Sequence, residues 1–152
     1  MVLFVCTGNI FRSLTAEYAL RRELGPQSAI AVASAGIHDY PHVVRPNVRD
    51  YLLEKGLDVR AHQRRTLTRE ILASAERVIA MSTDHQQFLS ERFALRAPVF
   101  LEACGGECEA LPDIEEVVLD YKTNTAAVEA HVRKTIDTII ELTPRLARSL
   151  RV

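Results

Sequence analysis

The sequence predicts an α/β fold, a three-layer doubly wound arrangement in which a four-stranded parallel sheet carries helices on both faces. Short apolar runs alternate with longer segments whose apolar residues recur at helical spacing, and this alternation is typical of right-handed βαβ units. The first run, residues 2–5, is apolar without a break, as in a strand buried on both faces. The chain has 152 residues, so we expect one domain over residues 1–152.

Four apolar runs are the predicted strands, and in a parallel sheet their carboxyl ends lie along one edge. In folds of this class, ligands bind beyond that edge. The first run leads directly into Cys6, so a cysteine lies where a binding site is expected. The predicted strands are residues 2–5, 29–33, 78–81 and 98–101.

The helical segments begin and end at residues that commonly cap or stop helices. The first starts at Ser13, and a Gly-Pro pair at residues 25–26 stops it. The last starts after an Asn124 cap, with Pro144 near its end. We predict the helices between these two at residues 48–56, 67–75 and 84–93, and loops at residues 38–46 and 103–116.

Composition and charge disfavour several classes of function. The net charge is −1, which gives no electrostatic reason to expect nucleic acid or an anionic membrane as a partner. No apolar run approaches the roughly 20 residues of a membrane-spanning helix. No basic region leads an apolar stretch at the N-terminus, so we expect a cytoplasmic protein without a secretory signal. Three cysteines fit no disulfide framework.

The segment from Cys6 to Ser13 has the order of parts expected of an anion site with a nucleophile at its base. A tight loop at a helix N-terminus directs several backbone N–H groups towards a tetrahedral oxyanion. Gly8 and Asn9 tolerate the backbone angles of such a loop. Arg12 can hold two phosphate oxygens with its planar fork. The positive surroundings favour the thiolate form of Cys6, and the Ser13 hydroxyl can donate a hydrogen bond to the sulfur.

This segment resembles the signature of the low-molecular-weight protein tyrosine phosphatases, in which a strand leads into Cys-x-Gly-Asn-x-Cys-Arg-Ser. The chain reads Cys6-Thr-Gly-Asn-Ile-Phe-Arg12-Ser13, then Ala16-Glu17. The likeness continues through Ser34-Ala35-Gly36, His62 with Leu67, Ala80-Met81 with His85, and Pro112-Asp113.

The resemblance implies a two-step phosphatase that needs no cofactor and no metal. Cys6 would attack phosphorus to give a phosphocysteine, and Arg12 would stabilise the transition state. Asp113 would protonate the leaving oxygen and then activate water. The backbone amides of Thr7, Gly8, Asn9, Ile10 and Phe11 would bind the phosphate with Arg12, Ser13 would contact the sulfur, and Tyr40 would form a wall of the pocket.

Two residues are candidates for the general acid. Asp113 is the first, but the family has Asp-Pro where this chain has Asp113-Ile114. Asp120, followed by a tyrosine, is the second candidate. Relatives carry aromatic residues near the acid, and Glu115 and Glu116 take those places here. Two carboxylates at the mouth would favour basic phosphopeptides over acidic ones.

Several alternative functions remain open at this level. Phe11 replaces the second cysteine of the loop, so the usual internal disulfide cannot form. Some relatives with threonine at the Ile10 position act on phosphoarginine, whereas isoleucine favours an aryl phosphate. Cys104 and Cys108 flank a glycine-rich turn, so a reversible disulfide between them, or a thiol-dependent arsenate reductase, is one alternative. A phosphate- or arsenate-binding module with weak turnover is another. The expected partners are phosphotyrosine-containing proteins or small aryl phosphates, and we expect a monomer or weak homodimer.

Overall fold

The structure, a computed structural model, describes residues 1–39 and 43–151. At its centre is a parallel sheet of three strands, β1 (Val2–Cys6), β2 (Val32–Gly36) and β3 (Arg77–Ala80). The strand order is β2-β1-β3, so β1 is the central strand. Its last residue, Cys6, is in register with Gly36 of β2. The second strand thus lies three residues later than the one predicted at residues 29–33.

The predicted fourth strand, residues 98–101, is wrong in the part of the chain that the structure describes. The backbone N–H of Ala80 donates to the carbonyl of Pro98 at 2.9 Å, and a single parallel bridge joins Ala80 and Val99. A short helix begins at the next residue and carries Phe100 into the core, with its ring centroid 6.2 Å from that of Phe4. Proline has no N–H to extend the ladder before Val99, and the helix that begins at Phe100 ends it after Val99, so pairing is limited to one bridge.

Seven helices are present in the described residues. Asn124 caps the last one, because its side-chain oxygen accepts a hydrogen bond from the Ala127 N–H at 3.1 Å, as predicted. That helix continues beyond Pro144. Two short helices lie in the segment 103–116 or at its borders, where we expected only a loop. The helices are α1 (Arg12–Leu24), α2 (Pro46–Glu54), α3 (Arg69–Ala73), α4 (Thr83–Phe93), α5 (Phe100–Ala103), α6 (Ile114–Val117) and α7 (Thr125–Leu150).

Helices cover both faces of the sheet, as the alternation of side chains along β1 shows. Phe4 packs in one cluster with Leu20 of α1 and Ile139 of α7. Leu3, on the opposite face, packs in another cluster with Leu89 of α4. Successive side chains of a strand point to opposite faces, so β1 is buried on both sides. The α/β class with a parallel sheet is therefore confirmed, with three strands instead of four.

In the part of the chain that the structure describes, no helix is long and apolar enough to cross a membrane.

Candidate active site

The predicted anion-binding loop is the loop between β1 and α1, residues 7–11. It begins where the buried strand ends at Cys6 and closes where α1 starts at Arg12. Asn9 adopts the left-handed conformation, with φ of 59°, which asparagine tolerates better than most residues. This turn brings the Asn9 backbone N–H to 3.3 Å from the Cys6 sulfur. The loop therefore curls over the thiol, as the sequence pattern predicts.

A chain of polar contacts fixes the hydroxyl next to the Cys6 sulfur. The Ser13 Oγ lies 2.9 Å from Cys6 Sγ. The Asn9 side-chain amide donates to Ser13 Oγ at 2.9 Å and to Ser34 Oγ at 2.7 Å. When Cys6 is a thiolate it has no proton to give, so the Ser13 hydroxyl, which accepts from Asn9, donates its own proton to the sulfur. A hydroxyl in this position stabilises negative charge on sulfur.

A buried network behind the loop holds Asn9, and reasoning from the sequence did not identify it. Ser34 donates to the buried carboxylate of Glu17, which also pairs with Arg21 at 2.5 Å. The His62 Nε2 lies 3.0 Å from the Asn9 carbonyl oxygen, and burial lowers the pKa of His62. Ser34, Glu17 and His62 occur in the segments that resemble the family, and that was their one signal in the sequence.

Gly36 allows β2 to lie directly against the anion-binding loop. A Cβ atom on Gly36 would stand 2.8 Å from the Thr7 carbonyl oxygen, 2.9 Å from the Gly8 carbonyl carbon and 3.0 Å from the Asn9 nitrogen. The His38 N–H donates to the Thr7 carbonyl at 3.1 Å just beyond this contact. Any larger residue at position 36 would therefore displace the backbone of the loop.

The Arg12 guanidinium is buried and held by three different groups. One terminal nitrogen, Nη1, donates to the Leu111 carbonyl at 2.8 Å. The other, Nη2, donates to Thr7 Oγ1 at 3.3 Å and pairs with Asp113 Oδ2 at 3.2 Å. The side chain is only 2% exposed, so its orientation is set by the protein and not by solvent. The structure thus brings Arg12 and Asp113 together across about a hundred residues of sequence.

The two candidate acids lie in different places. Asp113 is the N-cap of α6, where its Oδ1 accepts a hydrogen bond from the Ile114 N–H at 2.8 Å, and it lines the same cleft as Cys6. Asp120 instead accepts from the Asn124 side-chain amide at 3.1 Å and lines a separate groove beside α7. Of the two, only Asp113 is positioned to reach a group bound above Cys6.

The two glutamates after the acid also have different surroundings. Glu116 reaches back to accept a hydrogen bond from the Asp113 N–H at 2.6 Å, so it completes a capping box. Glu115 lines the cleft, together with Arg45 and His38. Of the two glutamates expected at the mouth, Glu115 lines the cleft, together with the Asp113 carboxylate and the cations Arg12 and Arg45.

The Cys6 cleft is open to solvent and has a cavity volume of about 150 Å³. Part of its lining is apolar, contributed by Ile10, Phe11, Val48 and Ile114. Such a wall suits a flat aromatic group next to a phosphate. Tyr40, the predicted wall residue, lies outside the described residues.

The remaining two cysteines are both free, and they differ in exposure. Cys104 is buried and Cys108 is exposed. Burial raises the pKa of the Cys104 thiol to about 11, which makes it a poor nucleophile at neutral pH. Among the described residues, no cluster of three or more His, Cys, Asp or Glu side chains could hold a metal ion.

A family model described as low molecular weight phosphotyrosine protein phosphatase matches residues 1–151. The chain is 34% identical over 85 residues to the low molecular weight protein-tyrosine-phosphatase Etp of Escherichia coli (strain K12), a match covering 55% of each protein. It is 35% identical over 95 residues to the protein-arginine-phosphatase of Bacillus subtilis (strain 168), covering 60% of this chain and 62% of that protein. The chain thus covers somewhat over half the length of these curated relatives.

Solved structures resemble the whole chain. A mutant of YwlE arginine phosphatase with a phosphorylated active-site serine superposes with a TM-score of 0.83 at 26% identity, covering 99% of this chain and 95% of that one. YwlE arginine phosphatase from Geobacillus stearothermophilus gives a TM-score of 0.81 at 27% identity, covering 99% and 92%.

Proposed function

The chain belongs to the low molecular weight phosphotyrosine protein phosphatase family, and on that premise we propose that it hydrolyses phosphotyrosine in proteins, or small aryl phosphates, through a phosphocysteine at Cys6. The observation that carries the proposal is that Cys6, Arg12 and Asp113 line one cleft. They supply the nucleophile, the phosphate ligand and the acid that the reaction needs.

In the first step, the Cys6 sulfur forms a bond to phosphorus while the bond from phosphorus to the phenolic oxygen breaks. The leaving oxygen takes a proton from Asp113. The backbone N–H groups of the anion-binding loop and the Arg12 fork stabilise the charge on the three remaining oxygens. The Ser13 hydroxyl, 2.9 Å from the sulfur, stabilises the thiolate before attack and again when sulfur leaves.

In the second step, water attacks the phosphocysteine and Asp113, now ionised, accepts its proton. The bond from sulfur to phosphorus breaks and inorganic phosphate is released. The ion pair between Arg12 and Asp113, at 3.2 Å, fits this cycle. A bound phosphate dianion competes with the Asp113 carboxylate for Nη2 of Arg12.

Phosphoarginine in proteins is the second candidate substrate, because relatives with that activity in their names are similar to this chain over 60% of its length. The apolar side chain of Ile10 at the cleft favours the aryl substrate, since it offers no hydrogen bond to a guanidinium. Matched peptides carrying phosphotyrosine or phosphoarginine decide between the two. We expect the higher kcat/KM for phosphotyrosine.

A variant series with p-nitrophenyl phosphate, in the presence of a chelator, tests the proposal. We expect wild type and Asp120→Asn to turn over at similar rates. Cys6→Ser should abolish turnover, and Asp113→Asn should lower kcat by about 10²–10⁴-fold, the usual contribution of general acid catalysis.

Two outcomes of this series would contradict the proposal. No turnover by wild type, together with measurable binding of inorganic phosphate, would identify a binding module. A loss of activity in Asp120→Asn but not in Asp113→Asn would show that the acid is misassigned.

We further propose a cytoplasmic location, which three free cysteines support.

A further inference from the structure

His85 lies directly beneath the anion-binding loop and has no role in the mechanism described above. It occupies the first turn of α4, and its side chain is fully buried. Its Nε2 lies 2.9 Å from Thr7 Oγ1, while its Nδ1 has no hydrogen-bond partner within the described residues. Buried polar atoms without a partner are rare in folded proteins, so a histidine in this place calls for an explanation.

The surroundings of Nδ1 determine which ring nitrogen carries the proton. The carboxylate of Asp84 lies beside it, with Oδ1 3.7 Å from Nδ1. A carboxylate attracts an N–H and repels a lone pair, so we assign the ring proton to Nδ1. Burial, and then the charge of Arg12, lower the pKa of His85 to about 4, so the ring is neutral at physiological pH. Its Nε2 is then a hydrogen-bond acceptor.

This tautomer fixes the direction of the next two hydrogen bonds. The Thr7 hydroxyl donates its one proton to Nε2 of His85. Its oxygen is then left with lone pairs only, and Arg12 Nη2 donates to that oxygen at 3.3 Å. If the hydroxyl proton turned towards Arg12 instead, a donor would face a cation.

We propose that His85 is a positioning residue for phosphate binding, which orients the Thr7 hydroxyl so that its oxygen holds the Arg12 guanidinium towards the cleft. The Leu111 carbonyl holds the other terminal nitrogen of Arg12 at 2.8 Å. The fork is therefore fixed at both ends before phosphate arrives, which reduces the ordering needed on binding. The inference rests on the proposed function in one respect, namely that Arg12 binds phosphate.

Three variants test it through the affinity for inorganic phosphate, measured by calorimetry, and through kcat and KM for p-nitrophenyl phosphate. His85→Phe keeps the ring shape without an acceptor, and we expect about tenfold weaker phosphate binding, as for one lost hydrogen bond to a charged group. His85→Gln retains an amide oxygen that can accept the Thr7 proton, so its affinity should stay within about threefold of wild type. Thr7→Val should resemble His85→Phe.

The double variant His85→Phe with Thr7→Val separates positioning from a general loss of packing. If His85 acts through Thr7, the double variant binds phosphate no more weakly than Thr7→Val alone. Additive losses would overturn the inference, as would His85→Phe with unchanged affinity or His85→Gln as weak as His85→Phe. Thr7→Val compared with wild type still tests the chain of hydrogen bonds if His85→Phe does not fold.

A direct reading of the tautomer comes from ¹⁵N NMR of the histidine side chains, with His85→Gln used to assign the signal. We expect a proton on Nδ1 and none on Nε2. The reverse would overturn the positioning role of His85 and leave the proposed function untouched. Phosphate binding without turnover by wild type would refute the proposed hydrolysis and leave the positioning role standing. No phosphate binding by wild type would refute both.

Discussion

Gly36→Ala tests whether close contact between the β2 backbone and the anion-binding loop is needed for activity. The new Cβ would lie 2.8 Å from the Thr7 carbonyl oxygen, whereas ordinary contact begins at 3.4 Å. The loop backbone must therefore move by about 0.6 Å, the difference between these distances, because the strand on the other side is held by its ladder. Misplacement by 1 Å costs about 10²-fold in rate, so we expect kcat/KM for p-nitrophenyl phosphate to fall by about tenfold.

The free energy of unfolding should fall as well, by about 1–3 kcal/mol, as is usual for overpacking. Gly25→Ala is the matched control. Gly25 has φ of 80°, but no heavy atom lies within 4 Å of a Cβ placed there. Its φ of 80° with ψ of 165° is a backbone conformation that is essentially restricted to glycine, so we expect Gly25→Ala to lose about 1–3 kcal/mol with no change in kcat/KM. Urea unfolding of both variants, followed by kinetics where each is folded, separates the two effects. Gly36→Ala with the activity of wild type would refute the reasoning.

Three further predictions concern pH, charge and oxidation. Because the pKa of His85 is lowered to about 4 in the folded protein from 6.5, the unfolded state binds more protons between these values, so stability should fall as pH drops from about 6.5 to about 4. This contribution is about 3 kcal/mol, and equal pH slopes in urea melts of wild type and His85→Gln would contradict it. Because Arg45 and Glu115 both line the cleft, Arg45→Glu should lower kcat/KM for Glu-flanked phosphotyrosine peptides by about two- to fivefold. Glu115→Lys should lower kcat/KM for Lys-flanked peptides. If the ratio of kcat/KM between the two peptides is the same in wild type and both variants, these residues do not select substrates by charge. Since Phe11 leaves Cys6 without a resolving thiol in the loop, peroxide inactivation should not be fully reversed by dithiothreitol; complete recovery would contradict this prediction.

The local features of the site could be predicted from the sequence because they depend on neighbouring residues. The apolar run before Cys6, the spacing to Arg12 and the helix that follows lie within one short segment. A left-handed Asn9 is likewise a local property. Capping is local too: the Asp-x-x-Glu pattern at residues 113–116 is that of a capping box, although we expected Glu116 at the mouth of the pocket.

The contacts that hold the site could not be predicted, because they join distant segments. Asn9 meets Ser34 and His62, and Arg12 meets the Leu111 carbonyl. Nothing in the hydrophobic periodicity specifies such pairs. The wrong fourth strand has a different cause: a short apolar run is compatible with a strand or with a buried helix, and burial of Phe100 is achieved here by the helix.

The central claim, that Cys6 carries the phosphate during turnover, is tested most directly by trapping the intermediate. Acid quenching of the reaction with p-nitrophenyl phosphate within one turnover, followed by proteolysis and mass spectrometry, locates the phosphate. We predict one phosphate on the peptide that contains Cys6, and none on that peptide from Cys6→Ala treated in the same way. Turnover by wild type with no phosphate on Cys6 at any quench time, or a phosphate found on another residue, would contradict the account.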